Sequence, residues 1–96
     1  MKLLAIIDVA ATAELSGIRA GLASELQASW ALFAAGVLRE AYATEAATRV
    51  VFILEADDRA QAEAQLGTLP LIAAGSFRCE LIELHPFVNW SRLFGR

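Results

Sequence analysis

The pattern of hydrophobic and polar positions divides the chain into four strand-like and two helix-like segments. Two short, nearly continuous apolar runs, Lys2 to Val9 and Thr48 to Leu54, are typical of strands buried on both faces. A more polar segment, Val37 to Thr44, fits a strand at the edge of a sheet. The last strand is predicted from Phe77 to Leu84, where apolar and charged residues alternate before Pro86 ends the pattern.

A long amphipathic helix is predicted between the first two strands, roughly from Glu14 to Ala35. Its apolar residues recur at spacings of three and four and form one stripe: Leu15, Ile18, Leu22, Leu26, Trp30 and Phe33. We interpret Trp30 and Phe33 as core residues rather than as a ligand platform. The polar residues lie mostly off this stripe: Glu14, Arg19, Glu25 and Gln27. Gly17 and Gly21 either weaken the helix or permit another element to approach closely.

The second helix is predicted to begin at Asp58, whose spacing to Gln61 is that of a capping box, and to end near Leu69, before Pro70. The order of elements is therefore β-α-β-β-α-β. This order predicts an α+β domain of ferredoxin-like topology with an antiparallel four-stranded sheet. Right-handed crossovers place the first and third strands in the centre of the sheet, in agreement with their apolar character. Residues 1–96 are expected to form one domain.

Both helices are expected to cover one face of the sheet and to leave the other face bare. Because the central positions of that face are apolar, a second copy should cover it and form a dimeric α+β barrel. The composition supports further burial, since 57% of the residues are hydrophobic. The tail, residues 86–96, is expected to dock on the core or on the partner subunit because it carries four large apolar groups: Phe87, Trp90, Leu93 and Phe94.

The charge, the apolar runs and the cysteine content limit the classes of partner and the cellular location that we expect. The net charge is −3 and there is no basic stripe, which argues against nucleic acid as a partner. No stretch approaches the roughly 18 apolar residues of a membrane span, and the N-terminal apolar run is too short for a signal peptide. The one cysteine, Cys79, fits a core position in the last strand. We therefore expect a cytoplasmic protein without a membrane partner.

Four polar residues are the candidates for chemistry. Arg39 fits a group that binds a carboxylate, and Glu55 fits a general base, although the two also fit a salt bridge. His85, the one histidine, suits proton transfer at neutral pH but also fits a strand-end residue bonded to the backbone. Tyr42 either donates a hydrogen bond to a ligand or packs at the sheet edge. No metal site is expected, and the chain has no phosphate-binding loop or nucleophile elbow.

Several short motifs occur together along the chain: GVLREAY before the hairpin, Glu55 after it, Leu69-Pro70-Leu71, and His85-Pro86 before an aromatic tail. This combination resembles the muconolactone isomerase-like branch of the dimeric α+β barrel proteins, to which YCII-like proteins are related by fold. The resemblance implies a homodimer that uses no cofactor and isomerises a small carboxylated lactone by moving a proton. Arg39 would then hold the carboxylate, and Glu55 or His85 would move the proton.

Two other functions remain open at this point. The chain fits a non-catalytic module that binds a small organic acid or only assembles with itself. It also fits a cofactor-free oxygenase, since other dimeric barrels place arginine and tryptophan beside an aromatic substrate. Two or more titratable groups converging in one cavity would favour an enzyme, whereas a filled barrel with salt-bridged charges would favour the module.

Overall fold

The computed structural model describes residues 1–45 and 49–95 and contains one antiparallel four-stranded sheet. Its elements follow in this order: β1 (Lys2–Val9), α1 (Leu15–Ala34), β2 (Leu38–Ala43), β3 (Val50–Glu55), α2 (Arg59–Leu66), α3 (Pro70–Ala73), β4 (Phe77–Leu84) and a 3₁₀ helix (Val88–Phe94). The strand order is β2-β3-β1-β4, so the two most apolar strands are central, as predicted. Residues 46–48, which carry most of the predicted hairpin turn and the predicted start of the third strand, lie outside the described residues.

The core lies between the sheet and the helices. Alternation along β1 turns Leu3, Ala5 and Ile7 toward the helices, and all three are fully buried or nearly so. Their neighbours on β3 include Leu54, which pairs with Leu3. The helical layer adds a further set of buried apolar residues: Leu32, Ala62, Leu66, Leu69 and Leu71. Burying one leucine side chain stabilises a fold by roughly 1.5–3 kcal/mol, so the contacts of this single layer supply the hydrophobic stabilisation of the domain.

The second helix begins as predicted and ends earlier. The Asp58 carboxylate accepts a hydrogen bond from the Gln61 backbone N–H at 2.8 Å, and the Gln61 side chain accepts one from the Asp57 N–H at 2.6 Å. Helix α2 ends at Leu66 instead of continuing toward Leu69. Pro70 begins α3 rather than only interrupting a helix, because proline is favoured at the first helical position, where no N–H is needed.

Helices α1 and α3 approach each other closely at Gly21. A Cβ atom at Gly21 would lie 2.7 Å from Leu71 Cδ2, whereas a Cβ atom at Gly17 would meet nothing within 4 Å. Of the two roles left open by the sequence, close approach therefore applies to Gly21. Gly17 only lowers the helix propensity.

The apolar stripe of α1 is not buried as predicted. Glu25 and Leu32 are the buried residues of this helix, and Trp30 and Phe33 are 68% and 47% exposed. The prediction that Trp30 and Phe33 lie in the core is therefore wrong for the single chain. The reason is the rotation of the helix, which turns a neighbouring row of smaller residues toward the rest of the domain and leaves the stripe along its flank.

The tail extends from the body of the domain. Phe87, Trp90, Leu93 and Phe94 are between 61% and 76% exposed, and Phe87 contacts Trp90 edge-on at a centroid distance of 5.1 Å. The Cα radius of gyration is 15.5 Å and the longest dimension 57 Å, whereas a compact domain of this length has a radius of roughly 12–13 Å. These side chains are thus exposed within one chain, and docking on a partner subunit stays a prediction.

Candidate functional site

The sheet face opposite the helices is open within a single chain. The register places apolar side chains along its centre, as predicted: Leu4, Ile6, Val51, Ile53, Ile82 and Leu84. Charged residues flank them: Lys2 lies opposite Glu55 at one end and Asp8 opposite Arg78 at the other, and the edge strands add Glu40 and Glu80 to the same face. A second copy would bury the apolar centre while keeping these charges near its rim. Covering of this face by a partner stays a prediction.

Two of the four predicted site residues line one cavity. Glu55 and His85 lie at the end of the sheet around a cavity of about 520 Å³, which Met1 and Lys2 also line. One Glu55 carboxylate oxygen lies 3.1 Å from the amino nitrogen of Met1 and forms an ion pair with it. This cavity therefore combines a carboxylate with an amino group, a lysine and a histidine.

Arg39 lies outside that cavity. It occupies a one-residue bulge of β2, between Leu38 and Glu40, and its Nε–H donates to the Gly36 carbonyl at 2.5 Å. The bulge interrupts the alternation from which the face of Arg39 is predicted, and Ala41 pairs with a residue of the helix-covered face. The predicted role of Arg39 in binding a carboxylate stays a prediction.

Tyr42 also lies apart from Glu55 and His85. It pairs with Val51 on the open face, and its hydroxyl donates to the Glu40 carboxylate at 2.5 Å. This hydrogen bond and the negative charge of Glu40 raise the pKa of the Tyr42 phenol above its ordinary value. Tyr42 is therefore a neutral donor engaged with its own strand, and its predicted contact with a ligand stays a prediction.

A second cavity, of about 610 Å³, lies at the edge strand β4 and is lined by Asp8, Arg49, Arg59 and Arg78 among others. Arg49 pairs with Asp8 at 3.3 Å, and Arg59 donates to the Leu81 carbonyl at 2.8 Å. Three of the charged side chains that line this cavity, Asp8, Arg49 and Arg59, are thus engaged with the chain itself. We interpret it as a solvated charged surface, where such pairs contribute little.

An apolar cleft lies between α1 and the helix-covered face of the sheet. Its volume of about 480 Å³ falls within the roughly 300–1,000 Å³ typical of small-molecule sites. Nine hydrophobic residues line it: Ile7, Val9, Ile18, Leu22, Leu26, Ala41, Val50, Phe52 and Phe77. The two polar residues of the lining, Glu25 and Ser29, both come from α1.

Glu25 is the buried ionisable group of this cleft, with 7% of its surface exposed. One carboxyl oxygen accepts a hydrogen bond from the Leu71 backbone N–H at 2.8 Å, and residues 1–45 and 49–95 supply no second partner. Burial raises the pKa of Glu25 above its ordinary value of 4.5, and the hydrogen bond from Leu71 opposes this shift only in part. A carboxyl group that keeps its proton to a higher pH is suited to general acid–base chemistry.

Sequence reasoning missed Glu25 because it lies off the large apolar stripe. It belongs to a second row with spacings of four and three, made of Gly21, Glu25, Ala28 and Leu32. The small residues at 21 and 28 let this row approach neighbouring elements closely. A glutamate within a row of small residues is the sequence signal that could have identified Glu25.

The cleft continues as a groove toward the C-terminal end of α1. Leu26, Ser29, Ala41 and Phe52 line both the cleft and this groove, whose volume is about 390 Å³. Its outer wall is the pair Trp30 and Phe33, which stack at a centroid distance of 5.2 Å.

Within residues 1–45 and 49–95, no group of three or more histidine, cysteine, aspartate or glutamate side chains is placed to hold a metal ion. None of the helices described has both the length and the apolar character needed to cross a membrane.

No protein-family model matches this sequence, and no match is found among curated proteins. The chain is similar in structure to 5-chloro-2-hydroxyhydroquinone dehydrochlorinase from Burkholderia phenoliruptrix AC1100, solved in complex with 2,5-dihydroxybenzoquinone. The TM-score is 0.71 at 18% sequence identity, and the match covers 88% of this chain and 94% of that one. This likeness confirms the predicted fold class, a ferredoxin-like α+β domain.

Proposed function

We propose that the protein is a cofactor-free enzyme that transfers a proton on a small, largely apolar ring compound bound between α1 and the sheet. Glu25 is the group that carries the proton. The observation that supports this proposal is a buried carboxyl with a raised pKa in an otherwise apolar cleft of ligand size. The similar dehydrochlorinase, which was solved with a single-ring ligand, gives a compatible size for the substrate.

The reaction best suited to this cleft is a shift of a double bond next to a carbonyl group. The Leu71 N–H fixes one oxygen of Glu25, which leaves the other oxygen to take a proton from a ring carbon. The same carboxyl then returns this proton, or one that it has exchanged with solvent, to a second ring carbon, so the substrate is isomerised without net gain or loss of atoms. A raised pKa favours both steps, because a group that titrates nearer the working pH accepts and releases a proton more evenly.

The charge of the cleft selects among substrates. Among the residues that the structure describes, its lining includes no lysine, arginine or histidine, and an ionised substrate carboxylate would have to be desolvated beside Glu25. The cleft therefore favours a neutral ring. The Ser29 hydroxyl, which donates to the Leu26 carbonyl at 2.9 Å, keeps oxygen lone pairs that can accept a hydrogen bond from a substrate hydroxyl.

A second candidate is the isomerisation of a small carboxylated lactone in the cavity of Glu55 and His85. The observation that favours it is the presence of Lys2 and the Met1 amino group in the same lining, since both attract a carboxylate. Glu55 or His85 would move the proton. Arg39→Met tests the predicted contribution of Arg39: weaker calorimetric binding of the lactone, at an unchanged melting temperature, would assign it to the carboxylate.

Two probes separate the candidate sites: 3-cyclohexenone, a neutral ring, and an unsaturated γ-lactone that carries a carboxylate. Deuterium exchange from solvent into each probe measures proton transfer, and calorimetry measures binding. We expect exchange into the ketone, reduced about 10²–10⁴-fold by Glu25→Gln with binding retained. Glu14→Gln is the matched control, because Glu14 is exposed and precedes the same helix.

The other outcomes point elsewhere. If deuterium enters only the lactone, and this exchange is lost in Glu55→Gln or His85→Asn, the active site is the cavity at the end of the sheet and not the cleft. Binding without exchange would identify a non-catalytic binding protein. If neither probe binds, a self-assembling module is the remaining interpretation.

A further inference from the structure

Two apolar surfaces have no partner among residues 1–45 and 49–95. The first is the α1 groove, which we define by Leu26, Trp30, Phe33 and Leu38. The second is the tail, residues 86–95, with its exposed side chains Phe87, Trp90, Leu93 and Phe94. Exposed aromatic clusters of this kind mark interaction sites, and here one chain carries two of them.

The two surfaces lie at opposite edges of the same sheet. The tail leaves from β4, one edge of the sheet, whereas the α1 groove includes residues of β2, the other edge. Three strand spacings, about 14 Å, separate the edges, and the helices cover the sheet between them. Only His85 and Pro86 join the end of β4 to Phe87. The tail of a chain would have to span the width of the sheet to reach its own groove.

We propose that the α1 groove of one copy receives the tail of a second copy, and that this tail closes the open end of the Glu25 cleft. Reciprocal exchange between two copies leaves neither surface exposed, because each chain supplies one tail and one groove. The groove shares Leu26 and Phe52 with the cleft, so a side chain seated beside Trp30 and Phe33 lies at the mouth of the candidate site. The closing of the cleft rests on the proposed function; the docking of the tail does not.

The area is of the size that a stable dimer needs. A covered aromatic side chain buries roughly 150–250 Å². The three aromatic residues of each tail, taken over two tails, therefore remove on the order of 1,000 Å² from water before the groove side is counted. Stable protein interfaces bury about 1,200–2,000 Å² in total, so tail exchange by itself approaches this range.

Tryptophan fluorescence reports on the groove directly. The chain has two tryptophans, so Trp90→Phe leaves Trp30 as the single emitter. Trp30 is 68% exposed in one chain, and docking of a tail would shield it. We expect blue-shifted emission and slow acrylamide quenching at high protein concentration, both lost on dilution and in a chain that ends at residue 87. A peptide of residues 86–96 that carries Trp90→Phe, added to the shortened chain, should restore the shielding, and circular dichroism should show that the shortened chain is folded.

A disulfide between copies tests the geometry. Two chains are mixed, one with Phe33→Cys and the other with Leu93→Cys, both with Cys79→Ser to remove the natural thiol. Mild oxidation should link them as a mixed dimer. Leu15→Cys in place of Phe33→Cys is the control, since it is also exposed but lies at the other end of α1; it should link far more slowly.

Two results would overturn the exchange. Trp30 that stays open to acrylamide at every concentration would show that the groove is empty. Shielding that does not depend on concentration, without the mixed disulfide, would show that the tail folds onto its own chain. The proposed function can fail separately, because a protein without proton exchange would still show a shielded Trp30 and the mixed disulfide.

Discussion

The protonation of Glu25 should be visible in the stability of the protein. In the folded chain, burial holds the pKa of Glu25 above its ordinary value of 4.5. The folded state therefore binds the proton more tightly than the unfolded state. Below the unfolded pKa this contribution to stability is fully present, and it is lost as the pH rises through the folded pKa. If a favourable ion pair dominated instead, the dependence of stability on pH would have the opposite slope.

Two substitutions separate the charge of Glu25 from its hydrogen bond. Glu25→Gln removes the charge but keeps an oxygen for the Leu71 N–H. It should match the wild type at low pH and exceed its stability at neutral pH, by about 1.4 kcal/mol for each unit by which the pKa is raised. Glu25→Leu removes the acceptor and leaves the N–H of Leu71, a residue only 4% exposed, without a partner. This variant should be less stable than Glu25→Gln by about 1–3 kcal/mol at every pH.

The assay is urea unfolding of the three proteins from pH 4 to pH 8 at one fixed protein concentration, since assembly affects apparent stability. A difference of 1 kcal/mol shifts the melting temperature of a domain of this size by roughly 4–8 °C, so thermal unfolding provides a second measure. Glu14→Gln should give a curve parallel to the wild type, because Glu14 is exposed. Parallel curves for Glu25→Gln and the wild type would refute the raised pKa and, with it, the electrostatic basis of the proposed site.

Two further predictions concern the helices. Gly17→Ala should raise the free energy of unfolding by about 1 kcal/mol through helix propensity. Gly21→Ala should lower it by about 1–3 kcal/mol, because the added Cβ would lie 2.7 Å from Leu71. Calorimetric melting compares the two variants, and equal shifts in melting temperature would contradict the close approach. Asp58→Ala should cost about 1 kcal/mol, because the Gln61 N–H loses its capping oxygen. The same melts measure this loss, and an unchanged midpoint would show that the cap contributes little.

The fold could be predicted from the sequence because its strongest signals are local and agree with one another. The apolar runs of β1 and β3 require central positions, and a β-α-β-β-α-β order supplies those positions. The capping residues Asp58 and Gln61 likewise lie within one turn of each other, so their spacing is sufficient to predict their contact.

The candidate site could be predicted only in part. Glu55 and His85 line one cavity because both lie at the same end of the sheet, at the ends of β3 and β4, which flank β1. Arg39 lies outside this cavity, in a one-residue bulge of β2. The sequence could not predict this position, because such a bulge does not appear as a break in the hydrophobic periodicity. Glu25 depends on how α1 is rotated about its own axis, and the largest apolar stripe predicts the wrong rotation.

That rotation connects the candidate site with the proposed interface. The row of Gly21, Glu25, Ala28 and Leu32 turns inward because its small members permit the contact of α1 with Leu71 of α3. With this row inward, the Glu25 carboxyl reaches the Leu71 N–H and lines the cleft. The same rotation leaves the stacked pair Trp30 and Phe33 exposed along the flank of one chain. A burial-driven rotation would have covered the aromatic residues and expelled the carboxyl. Covering the flank would remove this aromatic surface from water, and the exposed aromatic tail of a second copy has the complementary chemistry.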